Sequence, residues 1–161
     1  MKAKIEEVGL DSLDEILSMR MEVLGVVFKS EFEKMSEEEK KNLLEENRNY
    51  YKRELPSGGH IACFAYIDNN LVGCGGLCLY NEMPSPDNIN GKCGYLMNVY
   101  VRAQYRNHGL GTDITNWLIN SAKKKGVNKI YLESSVIAKN MYYKIGFNDM
   151  KDYMIYKNKA P

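Results

Sequence analysis

Arg106, Gly109 and Gly111 form an Arg-x-x-Gly-x-Gly pattern directly after the apolar run Leu96-Met97-Asn98-Val99-Tyr100-Val101, and a helically periodic segment follows. This order puts a glycine-bearing loop at a helix N-terminus, where free backbone N–H groups and the positive end of the helix dipole attract an anion. Glycine at 109 and 111 lets successive N–H groups turn toward one point without a Cβ in the way. Arg106 can add a bidentate contact to phosphate oxygens, and His108 lies beside it. The chemistry of the stretch is phosphate binding. No Gly-Lys-Ser/Thr follows at the P-loop spacing, and the third glycine of a dinucleotide fingerprint is missing. A pyrophosphate cradle of another kind remains.

The elements that must hold this loop can be read in order. Lys4 to Val8 is a short first strand. From a cap at Asp11 or Ser12, Leu13, Ile16, Leu17, Met21, Leu24 and Phe28 recur at helical spacing. Ser36 followed by Glu39 is a capping box, opening a second helix whose face carries Leu43, Leu44, Asn47, Tyr50, Tyr51 and Leu55 up to Pro56. Glu37 and Lys41 are spaced as an ion pair on its solvated side. His60 to Ile67 and Leu71 to Tyr80 read as a hairpin about Asp68-Asn69-Asn70. Gly73, Gly75 and Gly76 mark a bulge or a close approach in its second strand, and His60, with no second ligand-type residue beside it, reads as structural or exposed. Asn81 to Lys92 is a long polar loop, a lid or a spacer.

Gly94 to Val101 is the central strand, and a third helix runs from Gly109 to Lys125 on Leu110, Ile114, Trp117, Leu118 and Ala122. Asn128 to Glu133 is a further strand, Ser134 or Ser135 caps a fourth helix through Lys144, and Phe147 to Met150 and Tyr153 to Lys157 read as a closing strand pair. The fold class is therefore α+β (mixed α/β), in one domain across residues 1–161.

Composition narrows the function. With 22 Lys plus Arg against 21 Asp plus Glu, the net charge is +1, so no global field draws the chain to nucleic acid or membrane. Cys63, Cys74, Cys78 and Cys93 lie in strand-like segments without Cys-x-x-Cys spacing, which implies reduced core thiols and no metal site. No signal-peptide pattern and no run of transmembrane length occurs, so a cytoplasmic location is the expectation.

Arg106-x-x-Gly109-x-Gly111 after Asn98-Val99-Tyr100-Val101 resembles the acetyl-CoA signature of the GNAT N-acetyltransferases. The block Ser135 to Phe147, with Met141-Tyr142-Tyr143-Lys144-Ile145-Gly146-Phe147, resembles that family's fourth helix and its Tyr-Glu-Lys-x-Gly-Phe ending. The two blocks with their preceding strands cover roughly residues 60 to 150. The resemblance implies a central, mostly antiparallel twisted sheet of six to seven strands flanked by four helices. It implies acetyl-CoA as cosubstrate with no metal. The pantetheine arm would lie along Val99, Tyr100 and Val101, and the pyrophosphate would be held by Arg106, Asn107, His108, Gly109, Leu110, Gly111 and Thr112. Ala103-Gln104 replaces the family's frequent Pro-Glu, Tyr143 replaces its common glutamate, and Ser135 stands where an asparagine often touches the cofactor. Ser135 is retained as a cofactor-site residue, with helix capping as its other role.

By the same resemblance, a neutral primary amine attacks the thioester directly, an N–H near Val99 steadies the oxyanion, and Tyr142 protonates the departing thiolate. A thiol near pKa 8.5 and a phenol near 10 make that transfer nearly level. Tyr95, Glu82 and Glu133 are candidates for the base that frees the amine, and Asn98 could orient substrate. The expected acceptor is a small-molecule amine. A protein N-terminus or lysine is the nearer alternative, and a catalytically silent acetyl-CoA sensor is a third. Family members often dimerise, so a homodimer is a further expectation.

Overall fold

The computed structural model describes residues 2–159. Five strands form one sheet in the order β1 (Lys4–Val8), β2 (His60–Ile67), β3 (Asn70–Asn81), β4 (Lys92–Val101) and β5 (Lys129–Leu132). The first four pair antiparallel and β5 joins β4 in parallel, as a strand reached through a helical crossover must. The β2–β3 hairpin turns on Asp68 and Asn69, both at positive φ (47° and 62°), a turn that Asn and Asp tolerate best.

Five helices flank this sheet: α1 (Leu13–Val27), α2 (Lys29–Lys34), α3 (Glu37–Ser57), α4 (Leu110–Lys124) and α5 (Val136–Ile145). α1 and α3 cover one face, where Ile16, Leu17, Met19, Val23 and Tyr51 pack on Ala62, Phe64 and Cys74. Met19 and Val23 join the buried stripe, the expected Met21 is only half-buried, and Phe28 is exposed because the helix ends at Val27. α4 covers the other face with Leu110, Ile114, Leu118 and Ala122 against Ile61, Cys63, Ala65, Val72, Leu77 and Leu96. Gly73 and Gly75 of β3 serve close approach there: a Cβ on Gly75 would lie 2.6 Å from Ile114 Cγ2 and 2.8 Å from Leu118 Cδ1.

The capping box is present, with Ser36 Oγ accepting from the Glu39 N–H and Glu39 Oε2 from the Ser36 N–H at 3.1 and 2.7 Å. The ion pair beside it joins Glu37 to Lys40, one residue before the expected Lys41. The mixed α+β class and the largely antiparallel sheet are as expected. The counts of strands and helices are not. Phe147 to Met150 and Tyr153 to Lys157 form no strands, and Met154, Ile155 and Tyr156 are exposed. A strand-like composition becomes a strand only against a partner edge, and no edge pairs with this segment. α2, too short to show periodicity, is the added helix.

The Asn81 to Lys92 loop is tied down rather than loose. Asn88 is buried and donates through Nδ2 to Lys92 O, Lys129 reaches Asp87 at 2.7 Å, and Asn90 Nδ2 donates to Gly126 O. These contacts hold it where β4 and β5 begin.

Candidate active site

β4 and β5 run together only from Cys93 with Lys129 to Leu96 with Leu132; from Met97 to Val101, β4 has no neighbour on that side. A bulge falls at the same point. Gly76 pairs with Met97 and Cys74 with Tyr100, so Gly75 alone faces both Asn98 and Val99. Asn98 absorbs the extra residue at φ 59°, a conformation asparagine accepts. Its side chain accepts from Arg20 Nη1 at 3.0 Å, and its carbonyl accepts from the Cys74 thiol at 3.3 Å. The outcome is a strand edge, Val99 to Val101, whose polar backbone groups face an opening while Val99 and Val101 remain packed on the α4-side core.

Beyond β4, Arg102 closes the strand by a bidentate pair to Glu22 (3.0 and 2.8 Å) and a bond to Leu71 O. That pairing, through its hydrogen bonds, holds the Glu22 carboxyl below its ordinary range. The chain then enters the loop. Asn107 and Gly109 both have positive φ (65° and 80°), and Leu110 opens α4. Alternating left- and right-handed residues make a concave run of N–H groups. Among the described residues, no N–H from Asn107 to Thr112 donates to a backbone or side-chain acceptor; the first bond of α4 is Asp113 N–H to Gly109 O at 3.0 Å.

Arg106 is braced beside this run. Its Nε donates to Val101 O at 2.8 Å and its guanidinium lies 5.6 Å from the Tyr100 ring centroid. His108 Nδ1 sits 2.7 Å from Arg106 O, a carbonyl that can only accept, so that nitrogen carries the proton. Six free donors and an arginine without a carboxylate partner fit a pyrophosphate, and the unpaired β4 edge fits the amide-bearing arm that follows it.

α5 brings in the phenol. Ser135 Oγ accepts from the Ala138 N–H at 3.2 Å, so its side chain caps α5. α5 packs on the start of α4 so closely that a Cβ on Gly111 would stand 3.0 Å from Met141 Sδ. Gly111 therefore lies inside the helix and admits Met141, beyond the cradle role expected of it. Tyr142, the next residue, is half-buried against the core that also holds Val99 and Val101, with its ring edge-on to Phe147. Burial pushes its pKa up, and its hydroxyl has no hydrogen-bond partner among the described residues. Tyr143 instead points outward and donates to Asp149 at 2.7 Å.

Of the three base candidates, Glu82 accepts from the phenols of Tyr80 and Tyr131, both at 3.2 Å. Glu133 is exposed where β5 ends, near enough to Tyr95 to raise that phenol's pKa after burial has done so. His60, expected to stand without a companion, is buried with Nδ1 2.8 Å from Tyr50 Oη, and Tyr50 also meets Cys78 Sγ at 3.0 Å. The helical face carrying Tyr50 was legible, but its pairing with a strand entrance needed the fold.

The family model described as acetyltransferase (GNAT) family matches residues 24–147. The chain belongs to the GNAT acetyltransferase family, whose members act with acetyl-CoA. Solved structures agree on the fold. A predicted acetyltransferase of Clostridium acetobutylicum, crystallised with acetyl-CoA, is 20% identical with a TM-score of 0.83, covering 97% of this chain and 96% of its own. A GCN5-related N-acetyltransferase of Ralstonia eutropha is 16% identical with a TM-score of 0.78 over 97% and 99%. An aminoglycoside acetyltransferase from an uncultured soil metagenomic sample is 14% identical with a TM-score of 0.71 over 99% and 97%. No curated protein sequence gave a significant match. Among the described residues, no three His, Cys, Asp or Glu side chains gather as metal ligands, and no helix is long and apolar enough to cross a membrane.

Proposed function

We propose that the chain acetylates the primary amine of a small molecule by direct attack on acetyl-CoA, with Tyr142 as general acid. Bound acetyl-CoA supplies the thioester carbonyl and the thiol leaving group. The N–H groups from Asn107 to Thr112, with Arg106, hold the pyrophosphate, and the β4 edge from Val99 to Val101 orients the arm. An N–H at the Val99 end of that edge faces the charge that develops on the carbonyl oxygen. A phenol is protonated at neutral pH, the more so where burial raises its pKa as at Tyr142, so a proton is present for the departing sulfur.

The observation that carries this reading is the unpartnered, half-buried Tyr142 hydroxyl, held beside the cradle through the Gly111–Met141 contact. The test is acetyl-CoA-dependent thiol release across a panel of small amines and lysine-bearing peptides. Release with small amines supports the proposal. Release with peptides alone favours the protein-acetylating alternative, and acetyl-CoA binding without release favours a sensor.

A further inference from the structure

The chain has five arginines, and three of them pair with carboxylates: Arg48 with Asp14 and Glu45, Arg53 with Glu54, and Arg102 with Glu22. Arg106, which flanks the cradle, has no carboxylate partner among the described residues, and neither does Arg20. Arg20 is half-buried on α1, on the sheet face opposite α4. Its Nε donates to Asn47 Oδ1 at 3.2 Å and its Nη1 to Asn98 Oδ1 at 3.0 Å. Both partners are neutral amides, and Nη2 makes no hydrogen bond among the described residues. The guanidinium is thus fixed from two elements with its full charge uncompensated.

A guanidinium held in place by neutral amides, with no anion paired to it, is open to bind one. The surroundings supply none. Tyr51, His60, Cys74 and Cys78 lie within its field and are neutral; of the carboxylates that act on the same groups, Glu54 is engaged by Arg53 at 2.8 Å and Glu22 by Arg102 at 2.8 Å. With Nε and one Nη1 hydrogen engaged, both Nη2 hydrogens and the second Nη1 hydrogen remain as donors for an oxyanion. The position is specific, because Asn98, the residue Arg20 grips, immediately precedes Val99, where the β4 edge opens. The cradle takes the donor from the α4 side, and Arg20 waits on the α1 and α3 side.

We infer that Arg20 receives an oxyanion carried by the acceptor, so that the substrate is an amine bearing a carboxylate or a phosphate. This inference rests on the acetyltransferase reading above. An arginine that only propped the bulge would support every acceptor equally, whereas a receiving arginine separates anionic from neutral ones.

The experiment compares kcat/KM, by acetyl-CoA-dependent thiol release, for two matched pairs: alanine with alaninamide, and glucosamine 6-phosphate with glucosamine. The unmodified enzyme should prefer the charged member of one pair about tenfold or more, and that pair names the oxyanion. Arg20→Met should remove about ten- to a hundredfold of the preference while kcat/KM for the neutral member stays within about threefold. Arg20→Lys, which keeps the charge without the fork and preserves the packed stem, should retain part of it. Equal use of both members in each pair, or an equal fall for both in Arg20→Met, would overturn the inference and leave the acetyltransferase reading standing. No thiol release in any arm would count against both.

Discussion

A Cβ placed on Gly111 would lie 3.0 Å from Met141 Sδ, so the helix that opens the cradle and the helix that carries Tyr142 touch at a residue adjoining each function. Gly111→Ala should leave stability within about 1 kcal/mol, since the helical gain of alanine offsets the crowding. It should nevertheless lower kcat by displacing Met141 and Tyr142 together. Adding Met141→Ala makes room and should restore part of kcat; a double variant no faster than Gly111→Ala would show that the contact does not position the phenol.

Gly109 presents the opposite case. A Cβ there meets nothing within 4 Å, but its φ of 80° strains any L side chain. Gly109→Ala should destabilise the fold by roughly 1 kcal/mol and weaken acetyl-CoA binding, and Gly109→Asn should cost less because asparagine tolerates this conformation. Denaturant midpoints of the two variants are the check, and alanine equal to asparagine would contradict a purely backbone cost.

His60 gives the chain a pH dependence. Burial, and then the Arg20 charge, lower its pKa to about 4 from an ordinary 6.5. Because the unfolded chain takes up the proton first, this contribution is complete above about pH 6.5 and declines progressively as pH falls toward 4. The loss over that window is on the order of 3 kcal/mol. In urea unfolding, His60→Gln should lack this component, so its stability should fall less steeply than that of the parent between those pH values. Parallel curves would contradict it.

Local signals carried most of the fold. The Ser36–Glu39 box, the Ser135 cap and the Asp68-Asn69 turn are each decided by neighbours in sequence, and each formed as read. The Asn107 to Thr112 loop was legible for the same reason, since glycine placement dictates which amides stay free. Relationships between distant residues were not. Arg20 meets Asn98 across 78 positions, and nothing near either residue announces the other. Asn98 reads as a strand residue that could orient substrate or satisfy sheet polar groups, and only the register places it in the bulge. The segment from Phe147 to Lys157 failed in the reverse sense: its composition favours a strand, but strand formation depends on a partner that local sequence cannot supply.

Tyr142 and Tyr143 are adjacent phenols on one helix, the first half-buried without a partner and the second exposed and bonded to Asp149. The most direct measurement is steady-state thiol release, alongside acetyl-CoA dissociation constants, for the two phenylalanine variants. Tyr142→Phe should lower kcat by about a hundredfold or more with acetyl-CoA affinity nearly unchanged, and Tyr143→Phe should stay within about twofold of the parent. Equal effects of the two substitutions on kcat would contradict the assignment of Tyr142 as the general acid.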